Sequence, residues 1–152
     1  MLLIAHRGNI SGPNPKRENT PEYIEEAISK GFNVEIDVRY ENYKMLLGHD
    51  DGETEITLEW LEKHAQKLWI HCKNLEALRF LHPRNLFDLY KFNYFWHQED
   101  DFTLTSRNII WTYPQKEVTD KSVIVCQTVQ ECEDYINSNA YGMCSDYVGT
   151  YR

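Results

Sequence analysis

Asn33-Val34-Glu35-Ile36-Asp37-Val38-Arg39 alternates apolar and polar side chains with the two-residue period of a β-strand. Val34, Ile36 and Val38 share one face, which puts Glu35 and Asp37 together on the other. Two carboxylates side by side on a core strand repel each other and resist desolvation unless a partner or a cation neutralises them. A divalent ion removes that cost, and oxygen donors suit hard Mg²⁺ or Ca²⁺ best. The competing reading is an edge strand whose acidic face is solvated.

Working outward, residues 2–6 read as a strand that ends on His6-Arg7-Gly8. A polar loop with Gly12, Pro13 and Pro15 follows. Thr20-Pro21 opens a helix, with a capping hydroxyl and then proline in the first turn; Ile24, Ala27 and Ile28 supply its apolar face and Gly31 ends it. Beyond residue 39, a short strand over 45–48 delivers His49. Helix 57–66, strand 68–73, helix 75–82 and strands at 94–96, 109–113 and 123–126 follow in turn. Thr128-Val129-Gln130-Glu131 is a capping box for a helix to about residue 138, and the last strand spans about 143–148. Strands alternating with helices imply an α/β architecture around a largely parallel sheet.

The chain has 152 residues, which fits one domain spanning 1–152. A complete eight-unit barrel needs about 250 residues. The expectation is therefore a trimmed (β/α) TIM-type barrel of parallel strands with several helices shortened or missing. A short open parallel sheet is the alternative. Sixteen basic against 24 acidic residues give a net charge of −8, which argues against nucleic acid as partner. No apolar run approaches the ~20 residues of a membrane span, so no stable membrane insertion is expected. The start lacks a basic leader, and the four cysteines form no C-x-x-C pair. Reduced thiols and a cytoplasmic setting are expected.

Four polar sites fall at or near the carboxyl ends of the early strands, where barrel enzymes place their chemistry. They are His6-Arg7, Glu35 with Asp37, His49-Asp50, and His71 with Lys73. Histidines and cations recurring beside the acidic pair favour a metal-centred site over a solvated edge.

In this order and spacing the residues resemble the glycerophosphodiester phosphodiesterase family. The resemblance rests on His6-Arg7-Gly8, Glu18-Asn19-Thr20, Gly31, Glu35-Ile36-Asp37-Val38 and His49-Asp50, then Ile70-His71-Cys72-Lys73-Asn74 and Cys144-Ser145-Asp146-Tyr147. It is specific over residues 3–50, reasonable at 67–74 and 142–148, and thin between. It implies His6 and His49 as general acid and base, Arg7 and Lys73 on the phosphate, and Glu35, Asp37 and His71 around a divalent ion. It also implies attack by a glycerol hydroxyl to give a cyclic phosphate that water opens, and a role in lipid metabolism. The substrate would be a small soluble phosphodiester. Two departures stand out. His71 replaces the family's third-strand Glu, which brings Mn²⁺ or Zn²⁺ into consideration beside Mg²⁺ or Ca²⁺. The segment after His49-Asp50 is too short for the insertion that often covers the family's substrate site.

Other candidates carry plainer readings. Glu18 orients Arg7 or His6, or forms a loop salt bridge. His97 contacts substrate or is a structural histidine, and Trp111 is rim or core packing. His64 and His82 read as surface or capping residues, and Asp146 as structural or supporting. A phospholipase-type phosphodiesterase is the sibling reading, and a non-catalytic phosphate- or metal-binding module the competing class. A trimmed barrel would also leave an apolar flank that a second copy could cover, giving a homo-oligomer.

Overall fold

The computed structural model describes residues 1–83 and 91–152. Strand β2 (Asn33–Glu41) is its axis. Val34, Ile36 and Val38 are buried on the helix side of the sheet, within a core that includes Ile24 and Ala27 of α1 (Pro21–Ser29), Leu61 of α2 (Leu58–His64) and Ala77 of α3 (Leu75–Leu81). Burying each of the valine, isoleucine and leucine side chains contributes roughly 1.5–3 kcal/mol, and each alanine methyl about 0.8 kcal/mol. Glu35 and Asp37 face the concave side and are 2% and 0% exposed, which removes the solvated-edge reading.

Along one edge β2 pairs in parallel with β5 (Leu68–Cys72), which pairs in parallel with β6 (Tyr94–Phe95). The other edge is shared. Its first half pairs with β1 (Leu2–His6), and its second half, from Val38, pairs antiparallel with β3 (Lys44–Leu47). From β1 the sheet continues through β10 (Gly142–Ser145), β9 (Ser122–Cys126) and β8 (Ile110–Thr112), all parallel. It ends on β7 (Phe102–Leu104), antiparallel to β8. Strand β4 (Thr54–Ile56) is antiparallel to β3, and α4 (Val129–Tyr135) leads from β9 towards β10. A 3₁₀ turn at Val148–Tyr151 closes the chain.

The parallel (β/α) barrel expected from the rhythm of the sequence is not what forms. The sheet is mixed, partly antiparallel and curled into a half-barrel, with four α-helices of nine residues or fewer among the described residues. The physical reason is local. Between the strands read at 33–39 and 45–48, Asn42 and Tyr43 both take positive φ (50° and 64°) and turn the chain straight back, so β3 runs antiparallel to β2. A further antiparallel pair joins β8, at the expected strand near 109–113, to β7 at Phe102–Leu104, a strand that was not expected.

Among the described α-helices, three of the four starts follow side-chain chemistry. Thr57 and Asn74 accept from the backbone N–H groups of Trp60 and Ala77, and Thr128 with Glu131 forms the expected capping box. Thr20 departs from expectation: its hydroxyl donates to the Arg17 carbonyl, and Pro21 alone marks the start of α1. The concave face holds Ile4, Trp69, Phe95, Trp111, Val123 and Cys144 as an apolar floor. All four cysteines are free and buried. Among the described residues no helix is long and apolar enough to cross a membrane.

Candidate active site

Strand β1 ends at His6, and the backbone there turns through two left-handed residues, Arg7 (φ 53°) and Gly8 (φ 93°). A Cβ at Gly8 would press on the Tyr23 ring at 2.8 Å, so this turn requires glycine. The turn sends the Arg7 guanidinium back over β2. Its Nε lies 2.8 Å from Asp37 Oδ2, and its Nη1 lies 3.4 Å from Glu18 Oε2. Asn19 grips the same carboxylate: its amide donates to Asp37 Oδ2 at 3.0 Å and its carbonyl accepts from the Asp37 N–H at 3.1 Å.

Those contacts consume Oδ2 and leave Asp37 Oδ1, which is buried without a hydrogen bond, as is Glu35 Oε2. His71, one position over on β5, faces both. Its Nδ1 lies 3.3 Å from Asp37 Oδ1 and 3.6 Å from Glu35 Oε1. One donor atom from each of Glu35, Asp37 and His71 falls within a 4.8 Å cluster able to hold a cation. Burial alone would raise the Asp37 carboxyl pKa, but His71 and Arg7 hold it well below the usual carboxylate range. Burial likewise works against a charged His71, yet the two carboxylates push its pKa up to about 9. The two buried carboxylates thus favour positive charge between them, which a proton on His71 or a bound cation would supply.

His6 stands beside this cluster. Its Nδ1 donates to Asp146 Oδ1 at 2.8 Å, and its Nε2 lies 3.9 Å from Glu35 Oε2. Burial opposes protonation here too, but the Asp146 hydrogen bond and the Glu35 charge leave the His6 pKa raised. A fully buried amide ties the arrangement together. Asn9 donates through Nδ2 to Glu18 Oε1 and to Asp146 Oδ1, each at 2.8 Å, and accepts from the Asn14 N–H. One side chain therefore braces the partner of Arg7 and the partner of His6 at once.

The β3–β4 hairpin sits directly above β1 on the shared edge of β2, and this is what brings His49 over the mouth. The Gly48 N–H donates to the Asp37 carbonyl, and Arg39 donates to the His49 carbonyl at 3.0 Å. Gly48 has φ 152°, and a Cβ there would collide with the Asp51 carbonyl. His49 Nδ1 donates to Asp50 Oδ1 at 2.7 Å, with its ring 41% exposed. Lys73 reaches to 3.8 Å from Asp37 Oδ1.

His6, Arg7, Glu35, His49, His71, Lys73, His97 and Trp111 all line one cleft of about 590 Å³, within the range of small-molecule sites. Asp37 lies beneath it, and Glu18 supports Arg7 from the side. Trp111 belongs to the floor, stacked on Phe95 at 4.5 Å. His97 has a backbone role: its carbonyl accepts from His71 Nε2 at 2.8 Å, while its own Nε2 donates to the Asp100 carbonyl. His64 is paired with Glu25, and His82 with the Tyr94 hydroxyl.

Asn9 escaped the sequence reading because an asparagine in a polar loop carries no periodic or motif signal. Asp146 was placed in a supporting role, and it holds His6 directly. No known protein family and no curated protein matches the chain.

Proposed function

We propose that the chain is a metal-dependent phosphodiester hydrolase acting on a small glycerophosphodiester-like substrate. The observation that carries this reading is the juxtaposition, in and just beneath one cleft, of three side chains able to hold a cation with an Asp-held histidine, Arg7 and Lys73. The ligands fit a divalent ion: two buried carboxylates each keep an oxygen without a hydrogen bond, and an imidazole nitrogen faces them. A bound divalent cation would polarise the phosphoryl group and offset the charge that builds on its oxygens.

The chain's own residues divide the remaining work. Asp37 and Glu18 engage Nε and Nη1 of Arg7, which leaves Nη2 to donate to a non-bridging phosphate oxygen. Lys73 adds positive charge on the same side. His6, kept protonated by Asp146, donates through Nε2 to the departing alcohol. His49, with Nδ1–H given to Asp50, offers Nε2 as the base for the attacking hydroxyl. The apolar floor beneath keeps water away from the buried carboxylates. The buried free thiols accord with a reducing, cytoplasmic setting.

The test is ³¹P NMR of a mixed glycerophosphodiester panel incubated with the protein and, in turn, Mg²⁺, Ca²⁺, Mn²⁺ or Zn²⁺, with chelator and His6→Ala controls. Loss of one diester resonance that needs both the ion and His6 supports the reading. Persistence of every resonance under all four ions rejects glycerophosphodiesters as substrates. Retained phosphate binding under those conditions would move the assignment to a non-catalytic binding module.

A further inference from the structure

We infer that the cation site is set by His71 for a first-row transition ion such as Mn²⁺, Co²⁺ or Zn²⁺, in preference to Mg²⁺ or Ca²⁺, with the backbone carbonyl of His97 as the positioning group. This deepens the proposed function and rests on its cation site.

The first step is the tautomer. The His97 carbonyl can only accept, so the 2.8 Å contact places a hydrogen on His71 Nε2. In the neutral ring the lone pair is then on Nδ1, the atom that faces Glu35 Oε1 and Asp37 Oδ1. A metal-bound imidazole typically gives its other N–H to a carbonyl or carboxylate in this way, which fixes the ring and strengthens it as a donor.

The second step is the ring plane. His71 stacks on Phe95, with centroids 5.0 Å apart and planes 14° from parallel, and Phe95 stacks in turn on Trp111. The ring is thus held from its face and from its far nitrogen, and Nδ1 has one direction to point.

The third step is the donor set. Arg7 and Asn19 occupy Asp37 Oδ2, so Oδ1 is the available ligand. His71 Nδ1 lies 3.3 and 3.6 Å from the two carboxylate oxygens, and one donor atom of each residue falls within 4.8 Å of the others, so all three can turn to one ion. Hard Mg²⁺ and Ca²⁺ take oxygen donors and gain little from imidazole, which suits borderline first-row ions. The site therefore offers one strong donor to a transition ion that it withholds from an alkaline-earth ion.

Nearly any nitrogen–oxygen site binds later first-row ions more tightly than Mg²⁺, so the decisive readout is how the preference changes when His71 alone is altered. The experiment is titration calorimetry of the chelator-treated protein with each of the five ions, repeated with His71→Glu and accompanied by visible absorption of the Co²⁺ complex. In the wild type, Mn²⁺, Co²⁺ and Zn²⁺ bind at least tenfold tighter than Mg²⁺ or Ca²⁺. In His71→Glu, Co²⁺ and Zn²⁺ weaken by about 10–100-fold, a typical loss for ligand-shell changes, while Mg²⁺ and Ca²⁺ tighten. The Co²⁺ spectrum shifts as nitrogen is replaced by oxygen.

Wild-type affinity for Mg²⁺ or Ca²⁺ equal to that for Mn²⁺ overturns the inference and leaves the hydrolase reading standing. An unchanged preference in a folded His71→Glu protein also overturns it. Absence of binding by any ion overturns the inference and the cation site of the proposed function together. Should His71→Glu fail to fold, His71→Gln provides the second variant, with the same loss expected for Co²⁺ and Zn²⁺.

Discussion

Asn9→Asp exchanges an amide for a carboxylate of nearly the same shape at a point enclosed by two existing carboxylates. In the native protein the Asn9 Nδ2 hydrogens go to Glu18 Oε1 and Asp146 Oδ1, each at 2.8 Å. Removing them with Asn9→Ala deletes two hydrogen bonds to charged acceptors, worth about 1.5–3 kcal/mol each, and one neutral bond worth about 1 kcal/mol. Glu18 retains Arg7 and Asp146 retains His6, so the net loss falls near the lower end, at about 3–4 kcal/mol. Asn9→Asp adds like-charge contacts, each worth several kcal/mol at ~3 Å and an effective dielectric of about 20, until protonation relieves them. The introduced carboxylate therefore titrates higher in the folded than in the unfolded protein. Its folded form binds more protons, and the stability of this variant relative to wild type rises as pH falls. Urea denaturation at pH 7.5 and pH 5.5 reads this directly. Asn9→Asp is expected to be less stable than Asn9→Ala at the higher pH, with the gap narrowing at the lower. A loss below about 1 kcal/mol for either variant, or a gap that does not change with pH, would refute the bracing role.

Arg7→Met leaves buried Asp37 with only His71, Lys73 and Asn19, and breaking such a pair costs about 3–5 kcal/mol. Part of that loss should return when a divalent ion is added, as measured by urea midpoints with and without the ion. Gly48→Ala forces a side chain against the Asp51 carbonyl and displaces the His49 loop; misplacement of about 1 Å can cost 10²-fold in rate. A drop in kcat much larger than the shift in Tm is the expected signature. In the ion-free protein, the raised His6 pKa means its charged form adds stability that is fully present below the ordinary value of 6.5 and is lost as pH rises through the folded pKa. Asp146, whose pKa is lowered by His6 against the effect of burial, contributes above 3.8 and loses that contribution as pH falls. His6→Gln should accordingly cost most near pH 6 and least above the folded pKa, as followed by thermal melts across that range.

The site was more legible in the sequence than the fold. Period-two alternation on β2 reports directly on which side chains share a face, so Glu35 and Asp37 could be paired from residues alone. The same logic put His71 and Lys73 together, and both reach Asp37. The sheet was misread where backbone conformation decides. Alternation marks a strand but not its direction: the five residues between the strands read at 33–39 and 45–48 are too few for a parallel crossover, and Asn42 and Tyr43 turn the chain back with positive φ. Phe102-Thr103-Leu104 alternates as a strand does, but three residues beside two aspartates are too short a run to read as one. Asn9 and the His97 carbonyl act through hydrogen bonds across long sequence separations, which no local pattern encodes.

In the proposed function, His6 and His49 act as a pair on one phosphodiester bond above the Glu35–Asp37–His71 cluster. Steady-state turnover of the preferred diester by wild type, His6→Ala, His49→Ala and the double variant, at saturating divalent ion, tests it most directly. Each single substitution is expected to lower kcat by about 10²–10⁴-fold, and the double variant to fall little below the worse single, because residues working in one step are not additive. Wild-type turnover by His49→Ala, or losses that multiply in the double variant, would contradict the pairing.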